Sequence, residues 1–571
     1  MQKFTLSLLF VSLSACCTIS YADNIPPLTY QYTTPYTGAG SLTIYNNGNN
    51  PITISTLNFN TNVTLSGNPW GTLWGWKSTV TSTANPDGIN TDYSINETPA
   101  VTIAPHQSAA LTYGFDSQNY GGPFHPYNAA MNPSKVTVSL NGGSPVSVSI
   151  QGMCSGTACK DPGNGKRVMG YYPDWAYWRE PKFLASDVPF NKINTVAYAF
   201  SIFDSNGNIS LFDPDSDPVN LPIISQARQQ YPYLNASLSF GGWSWASVPS
   251  GWLCKPGASP VGPAACFSQM ASDPTATATF ITKAVKAMQE VRFNGIDIDW
   301  EYPHSAIDTT DYINLLQGLR TALNKQGELD HVHYYLTIAA PAGIDKINAF
   351  TAQQWQQIAT IVDYIDVMTY DFHGGWDQGS VGSDFMSAMS LDPTLDPTTK
   401  NPTLSKYNVI DAIKTYLDNG VPANKIVLGI PLYGRMVNIA SAGQNQGLYQ
   451  TITGVPAGEW DNQQSGHTGM IDYKCIVDST ACGNKSQFVL PQLTLVEPTA
   501  DNLGKYSKTP WGYANNLFIT YDDINSSDYK AQWLLQKGLA GVMFWDLTGD
   551  FPANNQNSII SSVDNVLNAS K

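Results

Sequence analysis

Phe293-Asn294-Gly295-Ile296-Asp297-Ile298-Asp299-Trp300-Glu301-Tyr302-Pro303 is the stretch from which the fold can be read. From Ile296 on, apolar and acidic residues alternate with the two-residue period of a β-strand. Asp297, Asp299 and Glu301 therefore share one face, each about 7 Å from the next along the strand. Ile296, Ile298 and Trp300 share the other, which suits packing under helices. Three carboxylates in a row on a buried face are destabilising. One unpaired buried charge costs several kcal/mol, and neighbouring like charges push each other's pKa upward. Three valines would pack there without that cost, so the pattern points to chemistry and not to a core.

Outward from this strand, the chain from residue 167 on alternates apolar strand-like runs with helix-length segments. The runs fall at 168–172, 193–200, 234–240, 295–300, 335–340, 365–370, 426–431 and 541–546, with helices expected over 273–291, 310–324 and 404–419. Eight strand–helix units predict an α/β fold, a (β/α)8 TIM barrel over 167–571. The interval between the seventh and eighth runs is the longest, and a stretch of that length rarely stays structureless in a compact domain. An inserted α+β subdomain is expected there, over 436–521. Barrel active sites form where the strands end. Glu301, last on its strand, would sit nearest the cleft, hold a proton near neutral pH and deliver it to a leaving oxygen. Asp299 lies one step deeper, placed to share a proton with Asp297.

The residues ahead of the barrel differ in kind. Over 24–150 charges are scarce, Asn, Thr and Ser abound, and short alternating runs recur, as in Val136-Thr137-Val138-Ser139-Leu140 and Val146-Ser147-Val148-Ser149-Ile150. Asn141-Gly142-Gly143-Ser144 between these two is a hairpin signal. An all-β sandwich is expected. Trp70, Trp74 and Trp76 in a Gly-rich stretch offer either core tryptophans or a stacking platform for a polysaccharide, which makes this a candidate carbohydrate-binding domain. Residues 151–166 read as a linker. Residues 1–22 read as an export signal, because Lys3 precedes an apolar run, Phe4 to Leu13, too short to span a bilayer. Ser20-Tyr21-Ala22 fits a cleavage site, whereas Leu13-Ser14-Ala15-Cys16 fits a lipobox that would put a lipid on Cys16. Soluble export to the extracellular space is the favoured reading, and no later stretch reads as a transmembrane helix.

Composition narrows the partners. A formal charge of −15 disfavours nucleic acid, whose phosphates need clustered Lys and Arg. Apolar content of 42% against 13% charged residues argues for packed globular structure over disorder. Fifteen Trp and 30 Tyr supply flat faces that suit sugar rings as well as cores. Cys154 with Cys159, Cys254 with Cys266, and Cys475 with Cys482 are near neighbours, expected as three disulfides of an oxidising compartment. None of these pairs has zinc-site spacing or a suitably placed His.

The strand quoted above resembles the Asp-x-x-Asp-x-Asp-x-Glu signature of family 18 glycoside hydrolases, the bacterial-type chitinases among them. The last three acids match, and Asn294 stands at the first position. Ser239-Phe240-Gly241-Gly242 resembles the family's Ser-x-Gly-Gly, Met368-Thr369-Tyr370-Asp371 its Met-x-Tyr-Asp, and Trp545 the tryptophan that floors the cleavage subsite. The resemblance covers about 167–556 and leaves the N-terminal domain out. It implies retaining hydrolysis of the β-1,4 bonds between N-acetylglucosamine units in chitin and chitooligosaccharides. It also implies a substrate-assisted route through an oxazolinium intermediate, an exception to the two-carboxylate scheme of most glycosidases. By the same resemblance Glu301 is general acid and base, and Asp299, above Asp297, orients the acetamido N–H. Tyr370 bonds the acetamido carbonyl, and Asp371 helps distort and hold the sugar. Tyr171, Trp243, Trp376, Tyr433 and Trp545 are implied as subsite aromatics, Arg435 as a substrate clamp, and Ser239 as a further substrate contact. The insertion resembles the one that walls the cleft of deep-groove bacterial chitinases, which hints at exo-acting or processive cleavage. Asn294 has the opposite parity to the acids, so it is expected to affect local structure more than chemistry.

Two alternatives share these features. An endo-β-N-acetylglucosaminidase acting on N-linked glycans would carry the barrel and the acids. A non-catalytic chitin-binding lectin would carry the barrel alone. Trp545, the Met368–Asp371 motif and the insertion favour chitin, and an intact Glu301 argues against the lectin. No metal motif is present and no cofactor is implied. His373 is expected as a loop histidine at the cleft rim, and His304 shows no ligand spacing. A monomer is expected.

Overall fold

The computed structural model describes residues 28–33, 39–61, 65–66, 78–84, 91–115, 134–154, 159–211, 213–243, 267–461 and 466–569. The export signal with Cys16, the cluster of Trp70, Trp74 and Trp76, and the Cys254 and Cys266 pair lie outside the described residues.

Eight parallel strands close a barrel. Arg167–Pro173, Thr195–Phe203, Asn235–Gly241, Gly295–Asp299, Tyr335–Ala340, Tyr364–Val367, Ile426–Pro431 and Gly541–Trp545 pair in chain order, and the eighth returns to the first through Val168↔Val542. The first strand is buried at every position, as expected of a parallel strand covered on both faces. Helices form the outer layer, each started by a local signal. Asp273 accepts a hydrogen bond from the Thr275 N–H, and Pro274 opens the helix Pro274–Glu290. A capping box of Ser305 and Asp308 opens Ala306–Asp330. The outward face of the fourth strand packs under these helices: Trp300 stacks on Phe267 at 5.2 Å and meets Tyr312 edge-on at 5.5 Å.

Some boundaries differ from the sequence reading. The sixth strand ends at Val367, because the Thr369 hydroxyl donates to the Gly429 carbonyl (2.7 Å) and Asp371 takes a left-handed φ of 55°. Tyr370 and Asp371 are thereby lifted off the strand toward the cleft. The helix expected over 404–419 runs only Val409–Asp418, since the Asn408 side chain caps it. The insertion begins at Tyr433. Its described residues form an antiparallel sheet of Tyr433–Ile439, Ile452–Gly454, Met470–Asp472, Thr494–Val496, Trp511–Ala514 and Leu517–Tyr521, beside the short α-helix Tyr473–Val477. Disulfides join Cys475 to Cys482 within it and Cys154 to Cys159 ahead of the barrel.

The N-terminal region folds as two five-stranded sheets around one core that includes Leu42, Ile44, Leu57, Phe59, Ile95 and Val138. Asn141 and Gly142 turn the expected hairpin with φ of 51° and 75°, the conformation an Asn-Gly pair tolerates. The run 146–150 is not one strand. Pro145–Ser147 pairs with Ser134–Leu140, and Ser149–Ile150 crosses to the other sheet beside Leu28–Thr33. The crossing buries both Val148 and Ile150, whereas Val146 stays exposed. This sandwich meets the barrel where the Cys154 N–H donates to the Gln230 carbonyl (2.9 Å) and the Tyr30 hydroxyl to Gln229 (3.2 Å). Gln230 ends the helix that precedes the third strand, so the contact lies at the end of the barrel opposite the cleft.

Candidate active site

The acidic face of the fourth strand is built from the bottom up. Asp297 is fully buried and accepts three hydroxyl hydrogen bonds: from Tyr171 (2.9 Å), Ser239 (2.7 Å) and Thr337 (2.6 Å). Ser239 and Thr337 are its register partners on the two flanking strands. These donors occupy the carboxylate and hold it as an acceptor. Asp299, one step up, is 3% exposed, and its Oδ1 has no hydrogen-bond partner among the described residues. Burial, then the charges of Glu301 and Asp297, hold its carboxyl well above the usual range. Asp297 is committed as an acceptor, and Asp299 is the acid whose protonated form burial favours.

Glu301 lies past the strand end, partly exposed to the cleft. Burial raises its carboxyl to about 7, a hydrogen bond with the Tyr302 side chain opposes that rise, and the Asp371 charge adds to it. A carboxylic acid that is half protonated at neutral pH and faces a cleft is equipped to act as acid and base in turn.

The loop after the sixth strand supplies the opposite wall. Arg435 binds Asp371 through two bonds, of 2.8 and 2.6 Å, and its guanidinium lies 5.4 Å from the Trp376 ring and 5.3 Å from that of Tyr433. Tyr370 meets Tyr433 edge-on at 6.1 Å. Trp545 floors the site, packed on Tyr171 (5.2 Å), Phe200 (5.7 Å) and Trp175 (6.2 Å). Gly241 lets the third strand pass against the fourth: its φ is 119°, and a Cβ there would lie 2.1 Å from the Asp299 carbonyl oxygen. The cleft encloses about 1040 Å³, and the insertion walls it through Trp460, Thr468 and Asp472.

The structure brings Asp299, Glu301, Tyr370, Asp371, Arg435 and Trp545 into this one cavity. Trp243 and Trp376 also line it and present open faces, 60% and 55% exposed. Tyr171 and Tyr433 belong to the wall, 1% and 4% exposed, and Tyr171 spends its hydroxyl on Asp297. Ser239 has no exposed surface; expected as a substrate contact, it braces Asp297 from below instead, because its position on the third strand is level with that acid. His373 is not a rim residue. It is fully buried, with Nδ1 3.0 Å from Asp377, and anchors the turn that carries Trp376. Asn294 stitches strand starts together, accepting from the Ala236 N–H (2.9 Å) and donating to Asn235 (2.7 Å). Glu459 approaches Cys475 and Cys482, but both sulfurs are committed to the disulfide and are not metal ligands.

Sequence reasoning missed Tyr302, Thr337, Trp175, Phe200 and Trp460. Tyr302 and Trp175 stand just past strand ends, where an aromatic at the catalytic face of a barrel is a readable signal. Thr337 and Trp460 had none, since register and loop packing are not local properties.

Comparison with known proteins is in keeping with this geometry. Residues 167–550 match the sequence profile of glycosyl hydrolases family 18. The chain is 29% identical to chitinase 1 of Aphanocladium album over 420 residues, 70% of this chain and 85% of that one. It is 30% identical to chitinase B of Serratia marcescens over 447 residues, 71% and 84% of the two chains. Among solved structures, chitinase ChiA74 of Bacillus thuringiensis superposes with a TM-score of 0.58 at 26% identity, covering 71% of this chain and 70% of that one.

Proposed function

Because this chain belongs to glycosyl hydrolase family 18 and is a glycoside hydrolase, we propose that it cleaves the β-1,4 bonds of chitin and chitooligosaccharides with retention of configuration, its substrate supplying the nucleophile. The observation that carries this reading is the graded acidic column: Asp297 saturated, Asp299 buried with an oxygen that has no partner among the described residues, and Glu301 raised to about 7 at the cleft. Glu301 donates its proton to the glycosidic oxygen as that bond breaks. The acetamido oxygen of the same sugar attacks the anomeric carbon, and the free Oδ1 of Asp299 accepts the acetamido N–H and stabilises the charge that develops. Tyr370 donates to the acetamido oxygen and aims it. Asp371, held by Arg435, fixes the distorted ring over Trp545. Glu301, now ionised, takes a proton from water, which opens the oxazolinium from the face the leaving group vacated.

Relatives named as chitinases support the substrate assignment, and an intact Glu301 separates this chain from a lectin on the same barrel. The disulfides support export, with soluble release favoured over a lipid at Cys16. The sandwich is assigned to carbohydrate binding; deletion of 24–150 that left binding to insoluble chitin unchanged would remove that role. A monomer is the favoured reading, supported by a cleft lined by residues of one chain.

The test is product analysis on chitooligosaccharides. Wild type should release the β-anomer first, and folded Glu301→Gln should lose at least about a thousandfold in kcat, as for loss of a general acid. α-Anomeric product would refute the substrate-assisted route. Inactivity on chitin with release of N-glycans from glycoproteins would favour the endo-acting alternative.

A further inference from the structure

A second buried charge pair lies in the barrel and is left unused by the chemistry above. Arg167 opens the first strand and Asp366 lies on the sixth, so their contact crosses the barrel interior. The Arg167 Nε lies 3.5 Å from the Asp366 Oδ1, with the side chains 3% and 0% exposed. The Asp366 oxygens otherwise have no hydrogen-bond partner among the described residues. The guanidinium is oriented by Thr195 (3.3 Å), the Met169 sulfur (3.0 Å) and the Tyr364 ring at 4.8 Å. Met169, Ala197, Val427 and Met543 form the apolar layer in this part of the barrel. An ion pair so enclosed is no better for stability than apolar residues of the same volume, so its presence asks for another reason.

The groups that face Asp366 are Arg167 and Tyr171 from the first strand, Asp297 from the fourth, and Tyr364 from its own. Burial lifts the Asp366 carboxyl to about 7, against the pull of Arg167 and with a push from Asp297. The same Asp297 adjoins Asp299, and Asp299 adjoins Glu301, so the pair underlies the whole acidic column.

We propose that Arg167 and Asp366 form a charge-setting floor for the acidic column, in which Asp366 is a positioning residue that extends the pH range over which Glu301 keeps its proton. The inference rests on the reading of Glu301 as general acid. When Asp366 is ionised it cancels Arg167, and no net positive charge draws the proton off Glu301. When Asp366 is protonated in acid, the uncancelled positive charge of Arg167 opposes further protonation of the column above it. The floor thus leaves the alkaline limb where a neutral floor would put it and extends the acid limb. The acids of the column are spaced about 7 Å apart along the strand, and unit charges two such steps apart, about 14 Å, at an effective dielectric near 20 shift each other's titration by about half to one pH unit.

The experiment is the pH profile of kcat/KM on a chitooligosaccharide for wild type, Asp366→Asn, and the double variant Arg167→Met with Asp366→Asn. In Asp366→Asn the cation is never cancelled, so the alkaline limb should move down by about half a pH unit or more. The double variant should return that limb to its wild-type position and move the acid limb up by a similar amount. An alkaline limb unmoved in folded Asp366→Asn, or moved and not restored by the second substitution, overturns the proposal. Should the single variant fail to unfold cooperatively, the neutral double variant decides alone: an acid limb at the wild-type position overturns it. Failure of the reading beneath is distinguishable, because active Glu301→Gln would sink the general acid, whereas unmoved limbs with inactive Glu301→Gln sink only the floor.

Discussion

Replacing Tyr302 with Phe should make the enzyme work at higher pH. Burial lifts the Glu301 carboxyl to about 7, and the hydrogen bond from Tyr302 is the main force opposing that rise. A hydrogen bond to a charged group contributes about 1.5–3 kcal/mol, against about 1 kcal/mol for a neutral pair. The difference between ionised and protonated Glu301 is therefore about 1 kcal/mol, or about 0.7 pH unit at 1.36 kcal/mol per unit. The sign follows from which form is favoured. A donor on the carboxylate stabilises the ionised form, so its loss raises the pKa. Because kcat/KM requires protonated Glu301, the alkaline limb moves up from about 7 to about 7.7, and at pH 8 the protonated fraction rises about threefold to fourfold. Initial rates on a fluorogenic chitobioside across the pH range, each variant normalised to its own plateau, read this directly. A limb that stays or falls in a cooperatively folded variant refutes the reasoning, since the hydroxyl would then be serving the neutral acid. The shift is opposite in sign to the one expected of Asp366→Asn, so the two variants cannot be confused.

Two further outcomes follow from the same geometry. Arg435→Met leaves Asp371 without its two-bonded partner in a partly buried wall, so stability should fall by about 1–2 kcal/mol in urea unfolding and kcat/KM by at least about tenfold. Unchanged kinetics would show that Asp371 needs no clamp. Gly241→Ala places a Cβ 2.1 Å from the Asp299 carbonyl at a φ of 119°, where neither backbone can yield, so a loss of about 3 kcal/mol is expected by the same assay. Wild-type stability there would mean that the two strands lie further apart than described.

Much of this protein is written in short windows of sequence. Two-residue alternation over 295–301 marks a strand whose two faces have different tasks, and the parity that groups Asp297, Asp299 and Glu301 also sets Asn294 apart. Asn141-Gly142 announces its hairpin because only such residues enter the left-handed region cheaply. These are consequences of backbone geometry over a few residues, and they need no knowledge of what lies across the barrel. The state of each acid is another matter. Asp297 is an acceptor because Tyr171, Ser239 and Thr337 reach it from 126, 58 and 40 residues away, and that depends on barrel register. The same register put Ser239 under an acid and not against a substrate. The fate of His373 turned on Asp377 and the burial around it, and the pairing of Arg167 with Asp366 on two strands facing each other across a closed sheet. The sequence by itself determined which residues could carry acid chemistry and which face they share, because side-chain type and strand parity are local. Only the tertiary structure decided which acid is pushed toward its protonated form and which is a fixed acceptor, because desolvation and hydrogen bonding are imposed by neighbours far away in the chain.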